Sequence, residues 1–333
     1  MSLTELAAHY APHLACVDEH MAAGLRRWPW THHDRMRQLV EDHLGQHGKR
    51  IRPLFTILCA DLLGGDLDRT APVGAALELY HSASLVLDDV QDNSSFRRGA
   101  STVHVTENVS NAINLAGVVR SFSYYPLHDA TTLGAEEKLA LHHEIDTMAT
   151  LVPLGQSMEI GWHQGWYDDE RFPYLDMIRL KTGAPFACAA ASAAIVSGTD
   201  ATTRDELRKL GFGLGCLYQL VDDFRDMFAA PPGTVPEDLA AGKPSRPLWI
   251  LVEKLSADAA TVDRVLRDFR FPGRDRNWIR DLMRELKVKE TLDAEISDRA
   301  QELRTGFGHV AVASPALDRV HRFVDSCRLL ARI

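Results

Sequence analysis

The sequence is poor in several things, and each shortage removes a class of protein. Its five cysteines, Cys16, Cys59, Cys188, Cys216 and Cys327, are scattered, and no two form a CxxC pair. That argues against a disulfide framework and a CxxC redox or zinc motif, and it points to reduced thiols in the cytoplasm. No uncharged apolar run reaches the roughly 20 residues that a bilayer span needs. The longest, Gly183 to Gly198, is rich in alanine, contains Pro185, and reads as a buried core helix. The opening MSLTELAAHY lacks a basic start followed by an apolar core, so no secretory signal is expected. Basic residues are also in deficit. With 37 Lys and Arg against 46 Asp and Glu, the net charge is −9, which argues against nucleic-acid binding but allows local basic pockets. Alternating β-branched runs bounded by turn dipeptides are nearly missing, so no sheet-based fold is expected.

What remains is helical. With 45% apolar and 25% charged residues the chain has the make-up of an ordinary globular protein, not a disordered one. Leu54, Leu58, Asp61 and Leu62 recur at the helical period, as do Leu77, His81, Ser84, Leu85 and Asp88. Thr203-Arg-Asp-Glu206 reads as a capping box opening a helix. Pro53, Pro72, Pro126, Pro153 and Pro173 are spaced to suit helix starts or ends. The stretch from Ala229 to Pro247 holds five prolines and two glycines and reads as one long mobile loop. From Leu255 to Ile333 the pattern is again amphipathic helix. The expectation is an all-α fold and a single domain over residues 1–333.

One short internal echo carries the chemistry. Leu85-Val-Leu-Asp88-Asp89-Val-Gln-Asp92 resembles Gln219-Leu-Val-Asp222-Asp223-Phe-Arg-Asp226: an apolar run, then DDxxD. On a helix, Asp88 and Asp92 share a face, and Asp89 lies about 100° round the axis. Carboxylates crowded beside an apolar face are costly unless cations compensate them. A hard divalent cation with oxygen ligands is the natural partner, and Mg²⁺ shares such carboxylates with phosphates and water. Neither copy has the spacing or the glycine of a calcium-binding EF-hand loop. For one motif a solvated acidic patch is as good a reading; two copies in a helical chain make it a poor one.

Cationic partners stand at matching places. Gly48-Lys49-Arg50-Ile51-Arg52-Pro53 packs three cations at a helix start, where backbone N–H groups also favour anions. Arg97-Arg98-Gly99 follows the first DDxxD, Lys181-Thr182 precedes the Ala-rich helix, and Gly242-Lys243 follows the second DDxxD. Arginine suits phosphate through its two-pronged geometry, lysine as a point charge. Gly211-Phe-Gly-Leu-Gly215 has no strand before it and reads as helix packing, not a dinucleotide fingerprint. The pairs His32-His33 and His142-His143 lack a convincing ligand spacing.

The ordered set GKRIRP, LVLDDVQDNSSFRRG, KTG, QLVDDFRD and GK resembles the trans-isoprenyl diphosphate synthases (polyprenyl synthetases). DDVQDNSSFRRG is most similar to geranylgeranyl diphosphate synthases of eukaryotic type. The resemblance spans Gly48 to Lys243 and implies an isoprenoid-synthase fold, ten or more helices around a deep central cavity, as a homodimer. It implies Mg²⁺, three ions per site, held chiefly by Asp88, Asp92 and Asp222 with Asp89, Asp223 and Asp226 in support. It implies that Lys49, Arg52, His81 and Arg98 bind isopentenyl diphosphate. Arg97, Lys181, Thr182, Gln219 and Lys243 would bind an allylic diphosphate, with Arg97 and Lys181 also counted as catalytic. Residues 227–241 depart from the family, which often carries an additional lysine there; this chain has none. Ala83 and Ser84, one turn before Asp88, fall where chain length is set. Their small size suits a C20 product and leaves C25 open, while Arg120, Ser121 and Pro153 lack the bulk expected of a deeper floor. A terpene cyclase or an irregular prenyltransferase on the same scaffold is the competing expectation.

Overall fold

The computed structural model describes residues 2–46, 48–167, 172–229, 234–271, 276–311 and 314–329. Helices account for nearly all of the regular structure, as the 3.6-residue spacing requires. Among the described residues the only strands are Phe96–Arg97 and Ala100–Ser101, an antiparallel ribbon pairing Phe96 with Ser101 and Arg97 with Ala100. Its turn, Arg98-Gly99, has φ of +53° and +80°, the left-handed pair that a tight two-residue hairpin needs.

The chain divides into two compact units. One comprises Ala7–Ile145 and Ala189–Arg204. Its axis is the helix Ala71–Gln91, which opens with Pro72 in the first turn, where a missing N–H costs nothing. Val109–Phe122, Ala11–Arg27 and Ile51–Leu62 pack around that axis. Val17, Leu79, Val86, Leu115, Val119 and Phe122 form part of the resulting apolar core. Asn108 caps the Val109–Phe122 helix, its side chain accepting from the Asn111 N–H at 2.8 Å. The Asp-rich end of Ala71–Gln91 is thereby mounted on a rigid element.

The other unit comprises Met1–Leu6, Asp146–Cys188 and Asp205–Ile333. There Val288–Val310 packs on Pro315–Leu329 and Arg246–Lys254. The glycine run behaves as helix packing. A methyl on Gly215 would fall 2.6 Å from the Thr182 carbonyl oxygen, and one on Gly211 2.5 Å from that of Phe186. These bare positions let the helix Ala201–Phe228 lie directly on the backbone around residues 182–187. Gln219, one turn after Gly215 on the same face, comes within reach of Thr182 as a result.

Three expectations need correction. Pro153 marks no helix end; it lies inside the 29-residue helix Ala135–His163. A proline there forfeits one hydrogen bond at about 3 kcal/mol, which the packing of so long a helix outweighs. Thr203 is not a cap, because the helix begins at Ala201 and the Asp200 carboxylate accepts from the Thr203 N–H at 2.8 Å. The supposed long loop contains the helix Glu237–Ala241, and Arg246–Lys254 starts before it ends; its residues 230–233 lie outside the described set. The Ala-rich stretch is a helix, Ala184–Val196, entered through one wide π-type turn at Arg179–Gly183.

Candidate active site

The first DDxxD closes the helix Ala71–Gln91, and Asp92 ends it with its N–H on the Asp88 carbonyl at 2.8 Å. Asp89 is buried and turned away from the Asp88–Asp92 face. It accepts from Arg97 Nε at 2.6 Å, so the hairpin ties Arg97 to the cluster. The neighbouring Arg98 points elsewhere, donating to the Gln46 carbonyl at 3.3 Å beside the Gly48-Lys49 segment. Adjacent hairpin arginines therefore serve different partners.

Lys49 is exposed and Arg52 half-buried in the first turn of Ile51–Leu62. Between them Arg50 takes a left-handed backbone, φ +49°. Its Nη1 donates to Glu78 Oε1 and its Nε to Asp18 Oδ1, both at 2.9 Å. Glu78 is 3% exposed and sits one turn before His81 on the DDxxD helix. Burial, followed by the charges of Arg52, Arg98 and Arg97, holds the His81 imidazole well below its ordinary pKa. Three arginines named by the sequence thus share one electrostatic neighbourhood with His81. His43 is also lowered, chiefly by burial, and its Nε2 lies 2.9 Å from the Ser82 carbonyl. Ser84 turns its hydroxyl to the His81 carbonyl at 2.8 Å, and Ala83 is buried in the apolar core.

The second DDxxD lies near the end of Ala201–Phe228, and its three carboxylates differ sharply. Asp222 is exposed. Asp226 accepts from the Asp238 N–H at 2.9 Å. Asp223, buried, accepts from the Tyr174 hydroxyl, from Gln219 Nε2 at 2.9 Å and from the Arg246 N–H at 2.7 Å. Burial pushes Asp223 up to about 6 against the pull of those donors. Asp238 is raised well above the usual range by burial and by the negative charges of Asp223, Asp226 and Glu159. The Gln219 amide is fixed at both ends, because Thr182 Oγ1 donates to its Oε1 at 2.8 Å. Glu159 Oε2 lies 2.7 Å from the Lys181 ammonium, and its Oε1 lies 4.0 Å from that of Lys243.

Glu78, Glu159, Tyr174 and Asp238 are additions to the residues named from the sequence. The signal for Glu159 was a lone acid in an otherwise apolar stretch, LVPLGQSMEIGW. The donor set also bears on a metal. Among the described residues no group of three His, Cys, Asp or Glu side chains gathers closely enough to cage an ion. Each cluster offers oxygen donors one turn apart, Asp88 with Asp92 and Asp222 with Asp226. An incomplete set of hard ligands fits Mg²⁺, which completes its octahedron with phosphate oxygens and water. It does not fit a closed zinc or calcium site. No described helix is long and apolar enough to cross a membrane.

The chain is similar to known proteins. The geranylgeranyl diphosphate synthase of Saccharolobus solfataricus is 31% identical over 198 residues, covering 59% of this chain and 57% of that protein. The geranylfarnesyl diphosphate synthase of Aeropyrum pernix is 31% identical over 204 residues, covering 59% of this chain and 64% of that one. The chain thus spans less than two thirds of the length of either relative. The crystal structure of geranylgeranyl pyrophosphate synthetase from Pyrococcus horikoshii superposes with a TM-score of 0.85 at 23% identity, covering 99% of both chains. That likeness establishes the all-helical isoprenoid-synthase fold. The profile of the polyprenyl synthetase family matches residues 33–276, well over half of the sequence, and the chain belongs to that family.

Proposed function

We propose that the chain is a chain-elongating trans-prenyltransferase that condenses isopentenyl diphosphate with an allylic diphosphate. The observation that carries this reading is the duplication of the anion-binding groups. Arg52, Arg97 and Arg98 surround His81 with positive charge beside the first DDxxD. Lys181 and Lys243 both lie beside Glu159 in the unit that holds the second. A cyclase ionises one diphosphate and has no use for two basic sets.

In this reading Lys49, Arg52, His81 and Arg98 hold isopentenyl diphosphate. A neutral His81 accepts or donates one hydrogen bond without adding charge. Arg97, Lys181, Thr182, Gln219 and Lys243 hold the allylic diphosphate. Asp88, Asp92 and Asp222, supported by Asp89, Asp223 and Asp226, hold Mg²⁺, three ions per site. When bound, Mg²⁺ supplies positive charge that stabilises the departing diphosphate. The lysines and Arg97 add fixed charge where the leaving group becomes more negative, and such preorganised charge is the main source of acceleration expected for this kind of step. The allylic C–O bond breaks and its electrons leave with the diphosphate. The isopentenyl double bond attacks the allylic carbon, a C–C bond forms, and a proton is lost to regenerate a double bond five carbons further on.

The relatives' products, geranylgeranyl and geranylfarnesyl diphosphate, support a C20 product with C25 within range. Small Ala83 and Ser84 support the same range. The unit boundaries at 145/146 and 188/189 fall inside helices, which supports treating residues 1–333 as one domain. The reading also takes the enzyme to be a cytoplasmic homodimer. Its five cysteines are free thiols, four of them buried.

The test incubates purified protein with Mg²⁺ and each allylic diphosphate, with and without isopentenyl diphosphate. Linear products that need both substrates support elongation. Cyclic or alcohol products from the allylic substrate alone would replace it with a cyclase.

A further inference from the structure

Trp162 lies in the last turn of Ala135–His163. Gly155, Glu159 and Trp162 follow one another at i, i+4 and i+7, so they share one face of that helix. Trp162 is fully buried, its ring 5.5 Å from Phe172, 5.3 Å from Trp249 and 4.0 Å from the Arg270 guanidinium. Its indole N–H leaves this packing for a single acceptor, the carbonyl of Gly242 at 3.2 Å. Gly242 ends the helix Glu237–Ala241 with φ +72°, and a methyl there would fall 2.6 Å from the Phe269 carbonyl oxygen. The next residue is Lys243, whose own N–H returns to the Asp238 carbonyl at 2.9 Å.

We propose that Trp162 is a positioning residue for Lys243: by holding the Gly242 carbonyl it fixes the left-handed turn from which that lysine reaches the allylic diphosphate. The proposal rests on the assignment of Lys243 to that substrate. One face of one helix then controls both ends of the lysine. Trp162 anchors the backbone before it, and Glu159, one turn earlier, lies beside its ammonium and holds that of Lys181.

Packing alone does not explain the hydrogen bond. In the same aromatic cluster the indole N–H of Trp249 is buried with no acceptor among the described residues. Trp162 differs from this neighbour in that its indole N–H reaches the turn. Trp249 also supplies the control. Trp162→Phe and Trp249→Phe remove the same atoms from the same cluster, but only the first removes a hydrogen bond to the turn.

The experiment compares both variants with the wild type by amide hydrogen exchange without substrate, and by steady-state kinetics with Mg²⁺ and both diphosphates. Trp162→Phe is expected to speed exchange at Lys243 and to raise KM for the allylic diphosphate about fivefold, the effect of one net hydrogen bond. KM for isopentenyl diphosphate stays at the wild-type value, and Trp249→Phe changes neither readout. Equal behaviour of the two variants, or a Lys243 amide as protected in Trp162→Phe as in the wild type, overturns the proposal. Faster exchange in a protein that performs no condensation would retain the anchor and remove the function built on it.

Discussion

Tyr174 donates its phenolic hydrogen to Asp223, and with Gln219 and the Arg246 N–H it leaves neither oxygen of that carboxylate without a donor. Adjacent aspartates in one motif therefore do different work: Asp222 faces solvent while Asp223 braces the helix. Replacing each with the isosteric asparagine separates the roles. Asp222→Asn is expected to lower turnover by orders of magnitude with an unchanged Tm. Asp223→Asn points an amide N–H at a donor and should cost about 1–3 kcal/mol of stability. Melting curves and initial rates on the two variants check the split.

The Arg50–Glu78 pair sets the backbone beside Lys49. The carboxylate is almost wholly buried, and Arg50 holds a left-handed conformation that is uncommon for a non-glycine residue. Glu78→Gln removes the charge on one side only. Partner loss in a buried pair costs about 3–5 kcal/mol, and the exposed second partner Asp18 should hold the loss to the lower end of that range. KM for isopentenyl diphosphate should rise while KM for the allylic substrate holds. Equal rises in both would show that Glu78 acts through the whole fold.

The half-buried histidines predict a direction for acid sensitivity. An unfolded histidine titrates near 6.5. Burial and the cations around it keep folded His81 neutral to well below that value. Below about pH 6.5 the unfolded chain binds a proton that the folded chain does not, so stability falls as pH falls, by at most about 1.4 kcal/mol per pH unit for one histidine. His43 and His20 are lowered as well and add in the same direction. His81→Gln should flatten the loss of Tm between pH 6.5 and 5. An unchanged slope would remove His81 from that balance.

Ser84 keeps its hydroxyl on its own helix and shows only a small side chain one turn before Asp88. Ser84→Phe should shorten the product, to about C15 from C20, by filling space with an aromatic ring. Product length by chromatography decides it; an unchanged distribution would move the chain-length determinant elsewhere.

Much of this was legible in the sequence, because the signals are local. Helical periodicity, each DDxxD motif and each basic cluster are written in a few neighbouring residues, and the described residues are helical where the spacing predicts. What stayed hidden depends on distance along the chain. Two of the three donors to Asp223 come from 49 and 23 residues away, and the partner of Arg50 comes from 28 residues away. No periodicity signals such pairs. Pro153 misled for a related reason: its cost is local, while the packing that absorbs it belongs to the whole of Ala135–His163. The resemblance assigned Arg97 and Arg98 to different diphosphates, but not the hairpin turn that sends one to Asp89 and the other to the Gln46 carbonyl.

The central claim is that both aspartate clusters act on a single diphosphate through Mg²⁺. A double-mutant cycle tests it directly: Mg²⁺-dependent binding of a non-ionisable allylic thiolodiphosphate, by titration calorimetry, to wild type, Asp88→Asn, Asp222→Asn and the double variant. Shared action predicts strongly non-additive losses, each single variant losing most of what the double variant loses. Additive losses, or full binding in either single variant, would contradict it.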